Sequence, residues 1–226
     1  MTRYRWFDFK TRLSLSDLAG RLRDGPYTDE KGGGFILDQV RSDFIVASYV
    51  ERVTRIEEVT DPFGRSQRYE RTEYDLQRFR VLDHGSTIEM VSPSRSSNTL
   101  ITRLLEATDF DVTVAPISID PMDWWSRFSR LMSVQGVLDR VEVRNLLVGE
   151  GALAQIKVEG GGDVAEVLRR MVDLEIVTFD KVRVRFPLKS GWALMTANAA
   201  VEIKSASEVE LLGGLRKSLR ASGPDA

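Results

Sequence analysis

The sequence predicts an α+β protein made of two degenerate β-α-β-β-α-type units, with antiparallel sheets and helices packed on one side. Three observations lead there. Apolar and polar residues alternate over much of the chain, and short stretches with helical spacing interrupt the alternation. Asp17-Leu18-Ala19 followed by Leu22-Arg23 recurs as Asp163-Val164-Ala165 followed by Leu168-Arg169. Ile88-Glu89-Met90-Val91-Ser92 is answered by Val201-Glu202-Ile203-Lys204-Ser205, each string ahead of a helical stretch. The units are expected over residues 1–118 and 138–226, with a connecting helix within 119–137.

The elements follow in order. Residues 3–10 alternate as a strand, and Leu15, Leu18, Ala19 and Leu22 then share one helical face, with Ser16 or Asp17 as the cap. Gly32-Gly33-Gly34 marks a loop, because three glycines hold no regular element cheaply. A long β segment runs from Phe35 to about Leu82, broken by Asp61-Pro62-Phe63-Gly64, whose Pro and Gly suit a type I turn. Asp83-His84-Gly85-Ser86 is a further turn, and 87–91 a strand. Asn98–Ala107 reads as a helix through Leu100, Ile101, Leu104 and Leu105, and 111–119 as a strand.

Asp120-Pro121 opens a helix with Met122, Trp125, Phe128 and Met132 on its apolar face. A hairpin over 137–159 turns at Gly149-Glu150-Gly151. Asp163 caps a helix with Glu166 three residues on, a capping-box pattern. Strands over 175–187 and 192–204, a helix over 207–219 and a frayed end at 223–226 complete the chain.

Charge fixes the expected strand registers. In the long hairpin, pairing residues whose numbers sum to 125 sets Glu57 against Arg68, Arg55 against Glu70 and Arg52 against Glu73. Near the base a sum of 126 pairs Ile45 with Val81 and Ala47 with Phe79, so a β-bulge is expected between the two registers. In the C-terminal hairpin a sum of 379 gathers Val182, Val184, Phe186, Ala193, Met195, Val201 and Ile203 on one face. Lys181, Arg183, Arg185 and Lys204 then share the other face with Glu202 and form a local basic surface.

Composition excludes several classes of function. The chain of 226 residues carries 32 basic and 34 acidic side chains, a formal net charge of −2, so no global field holds nucleic acid or an anionic membrane. No cysteine is present, which removes disulfides, thiolate metal sites and cysteine nucleophiles. His84 is the single histidine, so histidine metal clusters are removed too. No serine-centred elbow accompanies it, and neither a catalytic set, a metal site nor a cofactor is assigned. No signal-like or membrane-spanning apolar run appears, and a cytoplasmic protein is expected.

Three motifs carry chemistry. Val201-Glu202-Ile203-Lys204 resembles the Glu-x-Lys strand of the PD-(D/E)xK nucleases, which implies a metal shared with an upstream aspartate. The nearest upstream candidate, Asp180, falls on the face of Val182, opposite Glu202. Gly149-Glu150-Gly151 follows a strand as a dinucleotide loop does, but Gly160-Gly161-Gly162 leaves no full helix to direct at a pyrophosphate. Trp124-Trp125 is expected to bury both rings in the core, with Trp124 as the interface candidate should one ring point outward.

The order of elements resembles ferredoxin-like or TATA-binding-protein-like duplications, a likeness of topology without functional content. A non-catalytic binding or assembly protein is expected, a subunit of a larger complex with a protein partner or itself. A nucleic-acid-binding protein using Lys181, Arg183, Arg185 and Lys204 is the alternative. A metal-dependent nuclease is the third.

Overall fold

The first strand, β1 (Thr2–Thr11), supplies residues to both of the units into which the chain divides: residues 8–115, and residues 1–7 with 116–226. The computed structural model describes residues 1–82, 87–93, 97–149, 151–171, 177–189 and 191–220. Five α-helices and eleven strands among them make the fold α+β. The turn at His84, the start of the strand expected from 175 and the end at 223–226 lie outside the described residues.

In residues 8–115, α1 (Leu15–Asp24), β2 (Gly33–Val40), β3 (Phe44–Thr60), β4 (Ser66–Leu82), β5 (Thr87–Val91), α2 (Asn98–Ala107) and β6 (Val112–Pro116) follow β1. The antiparallel order is β2-β3-β4-β5, and β6 pairs with β1. The cap of α1 is Ser14, earlier than expected. Its Oγ accepts from the Asp17 N–H at 3.1 Å and donates to the Asp17 carboxylate at 2.6 Å, satisfying one of the helix's unpaired donors. Leu15, Leu18, Ala19 and Leu22 are buried, as their spacing requires.

The segment from Phe35 is two strands rather than one. Arg41-Ser42-Asp43 turns the chain, closed by the Arg41 N–H on the Phe44 carbonyl at 2.9 Å. Ser and Asp are turn formers, but without Gly or Pro they punctuate weakly. Gly34 packs where a side chain cannot, since a Cβ there would lie 2.4 Å from the Pro26 backbone.

The β3–β4 hairpin corrects the charge argument. Every pair from Phe44↔Leu82 to Thr60↔Ser66 sums to 126, with no bulge, so Arg55 stands directly opposite Arg71. The buried base decides this, because Ile45, Ala47, Phe79 and Val81 fix the faces and an unbroken ladder carries that register outward. The tip agrees with it. Asp61 Oδ1 accepts from the Phe63 and Arg65 amides at 2.8 and 2.9 Å, and Gly64 takes a positive φ of 81°. The arginines find diagonal partners instead. Glu73 lies 3.0 Å from Arg55 and 3.2 Å from Arg71, and Glu57 lies 3.7 Å from Arg71.

In the other unit, α3 (Pro121–Met132), β7 (Val137–Gly149), β8 (Ala152–Glu159), α4 (Ala165–Met171), β9 (Thr178–Phe186), a 3-10 turn (Pro187–Lys189), β10 (Gly191–Thr196), β11 (Ala200–Lys204) and α5 (Glu208–Arg220) give the order β1-β11-β10-β9-β7-β8. The strand expected over 192–204 is a hairpin. Its turn, 197–199, holds Ala199 at φ 51°, and the Thr196 hydroxyl accepts from the Ala200 amide at 3.2 Å. Alanine is seldom chosen for that conformation, so the turn was hidden in an apolar run. β9 and β10 pair with a sum of 377, not 379. A shift of two residues preserves the faces, and Val182, Val184, Phe186, Ala193, Met195, Val201 and Ile203 are all buried.

Trp124, the interface candidate, belongs to the core. It is fully buried, edge-on to Trp6 at 5.7 Å, and its indole N–H reaches Ser218 Oγ at 3.0 Å and the Leu215 carbonyl at 3.3 Å. Pro121, Trp124 and Phe128 form the inward face of α3, leaving Trp125 half-buried against Phe128 and Phe186. α5 comes close because of Gly214, where a Cβ would sit 2.6 Å from Met132 Sδ. A mid-helix glycine costs about 1 kcal/mol against alanine, and here it admits the neighbouring helix.

Replacing Trp124 with alanine should therefore cost about 3–5 kcal/mol in urea unfolding, while Leu131→Ala on the exposed side of α3 should cost less than about 0.5 kcal/mol. Glu73→Gln should leave Arg55 without its ion-pair partner and Arg71 with Glu57 alone. Amide exchange over 53–57 should quicken by about two- to fivefold, an effect erased by high salt.

Candidate functional site

With one face of the β1-β11-β10-β9-β7 sheet buried, the other carries its charge. Lys181, Arg183 and Arg185 stand opposite Thr196, Leu194 and Trp192, and Lys204 opposite Trp192. The four cations named from the sequence thus share one side, half-buried to exposed. They do not form an unopposed basic surface. Lys181 Nζ lies 2.7 Å from Glu142, and Arg183 reaches Asp139 at 2.7 Å and Glu159 at 2.9 Å. Arg185 donates to the Gly161 carbonyl at 2.5 Å.

The carboxylates beside Lys181 were hidden in the sequence because pairing shifts place them. β7 slips against β9 between Leu138 and Arg140, which leaves Asp139 on the charged side and brings Arg140 and Glu142 there as well. A second slip, between Glu142 and Val143, does the same for Asp180 on β9. Its carboxylate lies beside Lys181 at 3.9 Å and Arg144 at 3.5 Å, rather than with Val182 as the alternation implied. Glu202 stands opposite Arg3 and Leu194. Among the described residues no group of three His, Asp or Glu side chains could hold a metal ion.

Glu142 is the electrostatic centre of this face. Burial pushes its carboxyl up, but hydrogen bonds from Lys181 and Arg140, with their charges, outweigh that and hold its pKa below the ordinary value. The Asp139 hydrogen bond likewise pushes Arg183 further up.

Two features are not accounted for by neutral pairing. One is a pocket of about 400 Å³ at the end of the sheet, lined by Arg3, Arg144, Asp180, Lys181 and the 196–198 turn. The other belongs to residues 8–115. β2 leaves β3 at Glu51 and β5 leaves β4 at Arg78, so pairs from Arg52↔Tyr74 to Thr60↔Ser66 form a two-stranded arm. At about 3.3 Å per residue it reaches about 30 Å. Ile56, Val59, Tyr69 and Tyr74 are exposed along it, and Phe63 at the tip is 88% exposed. The pocket was not named from the sequence, and the long hairpin was read there as a charged ribbon without a binding role. The arm's signal was there, in alternation continuing far past the buried base.

No family model and no curated protein matches the chain. Among the described residues no helix is long and apolar enough to cross a membrane.

Glu142→Gln should cost about 1–3 kcal/mol at pH 7, because it leaves Lys181 and Arg140 without their shared anion. A depressed carboxyl contributes stability above its unfolded pKa and loses it as pH falls through the lower folded value. The deficit should accordingly narrow in acid, as urea unfolding at neutral and strongly acidic pH would read.

Proposed function

We propose that this chain is a non-catalytic assembly protein that engages a protein partner through the β3–β4 arm. The arm carries the proposal. A two-stranded ribbon with both faces exposed gains little stability of its own, so its length is explained by something outside the unit. Phe63 at the tip resembles the aromatic anchors that dominate protein interfaces, and the ion-paired stem presents it at low entropic cost.

Charge favours a protein over nucleic acid. Arg52, Arg55, Arg65, Arg68 and Arg71 are balanced by Glu57, Glu58, Asp61, Glu70 and Glu73, leaving the arm no positive field. The alternative through Lys181, Arg183, Arg185 and Lys204 has weaker support, because two of these cations are already engaged with carboxylates. The nuclease reading has none in the donor set around Glu202.

The duplication belongs to the same proposal. α1 and α4 each follow strand structure and open on an oxygen cap, from Ser14 and Asp163. β5 and β11, which carry the matching strings, each precede a helix. This order supports descent of both units from one ancestral unit.

The test is purification of the tagged chain from its native cell beside two variants, Phe63→Ser and a hairpin shortened by four residues in each strand. The reading expects a defined partner with the parent chain, markedly less with Phe63→Ser, and none with the shortened arm. Arg183→Gln serves as the charged-face control and should retain the partner. An arm-shortened protein that folds and keeps the same partners would overturn the proposal.

A further inference from the structure

The pocket at the end of the sheet differs from the rest of the charged face in its balance. Three strands converge on it: β1 brings Arg3, β7 brings Arg144, and β9 brings Asp180 and Lys181. Three cations thus meet one carboxylate. Glu142 engages Lys181 at 2.7 Å but is shared with Arg140, and Glu202 stands opposite Arg3; with Arg5 beside Arg3, five cations meet three carboxylates, so an excess of positive charge remains. Arg144 and Asp180 stand 3.5 Å apart, beyond a good hydrogen bond, and Arg3 makes no ion pair among the described residues.

The surroundings add to the imbalance. Arg5 lies two residues along β1, on the side of Arg3, with its ring-facing guanidinium 4.6 Å from the Phe7 centroid. Burial chiefly, and the charge of Arg3 after it, push its pKa down. Ser118 and Asn198 at the rim are exposed and carry neutral hydrogen-bond donors.

We infer that this pocket binds a small ligand through a phosphate or diphosphate group. Phosphate presents several acceptor oxygens to guanidinium forks arriving from different directions, which is what Arg3 and Arg144 supply. The volume, about 400 Å³, suits a diphosphate with a small organic group. No aromatic ring lines the pocket, so a nucleobase has nothing to stack on, which favours a compact phosphorylated molecule over a nucleic-acid strand. The inference is independent of the arm.

Titration calorimetry of the full chain with inorganic pyrophosphate at low ionic strength tests it. One saturable site is expected, weakening as salt rises, with Arg3→Gln and Arg144→Gln each reducing affinity by about five- to tenfold. Arg185→Gln, on the same face but outside the pocket, should change it by less than about twofold. Pyrophosphate should also protect Arg3 and Arg144 of the unmutated protein from phenylglyoxal, a readout that needs no variant to fold. Three results would overturn the inference: no saturable binding at about 5 mM, equal weakening by Arg185→Gln, or tighter binding of a short oligonucleotide than of pyrophosphate.

Discussion

A sheet whose helices cover only one side must make its other side soluble from its own residues, and the C-terminal unit is organised by that constraint. Trp6, Trp124, Phe128, Phe186 and the leucines of α5 fill the covered side. On the opposite side, every second residue of β9 from Lys181 to Arg185 is a cation, and regular pairing with β7 would set only Asp139 against them. The slips between β7 and β9 resolve this by setting Glu142 opposite Lys181 and turning Asp180 out beside it. Irregular pairing here is a means of charge balance, and the place where the balance stops short is the pocket of Arg3, Arg144 and Lys181.

Residues 8–115 meet the same constraint differently. Their covered face, with Phe35, Ile45, Ala47, Phe79, Val81 and Met90, ends where β2 and β5 end. β3 and β4 continue without a core, and their exposed stem is held by a ladder of backbone bonds and by diagonal ion pairs worth tenths of a kcal/mol each. The two units thus offer two kinds of surface, one built for shape and the other for charge.

Much of this was legible in the residues. The helices at 98–107 and 121–132, the 152–159 strand and the Asp61–Gly64 turn follow from local spacing and turn chemistry, which need no distant partner. Faces were also legible, since alternation survives a two-residue error in register, as β9 and β10 demonstrate. What was not legible depended on long-range choices. Arg55 faces Arg71 because buried residues ten positions away set the ladder, and a weak surface repulsion cannot shift it. The choice between Trp124 and Trp125 turned on a hydrogen bond to Ser218, more than ninety residues on. The charged pocket could not be foreseen without the pairing slips that build it.

The unbroken register of the arm also limits how such a protein can change over evolution. One residue inserted in one strand would exchange the two faces beyond it and undo the diagonal pairs Arg55–Glu73 and Glu57–Arg71. One residue added to both strands would keep the pairs in step but present Phe63 to the opposite side. Only additions or losses of two residues per strand leave the tip facing as before. The reach of the arm is thereby restricted to increments of about 7 Å, and a partner that holds Phe63 would select among lengths spaced like the teeth of a comb.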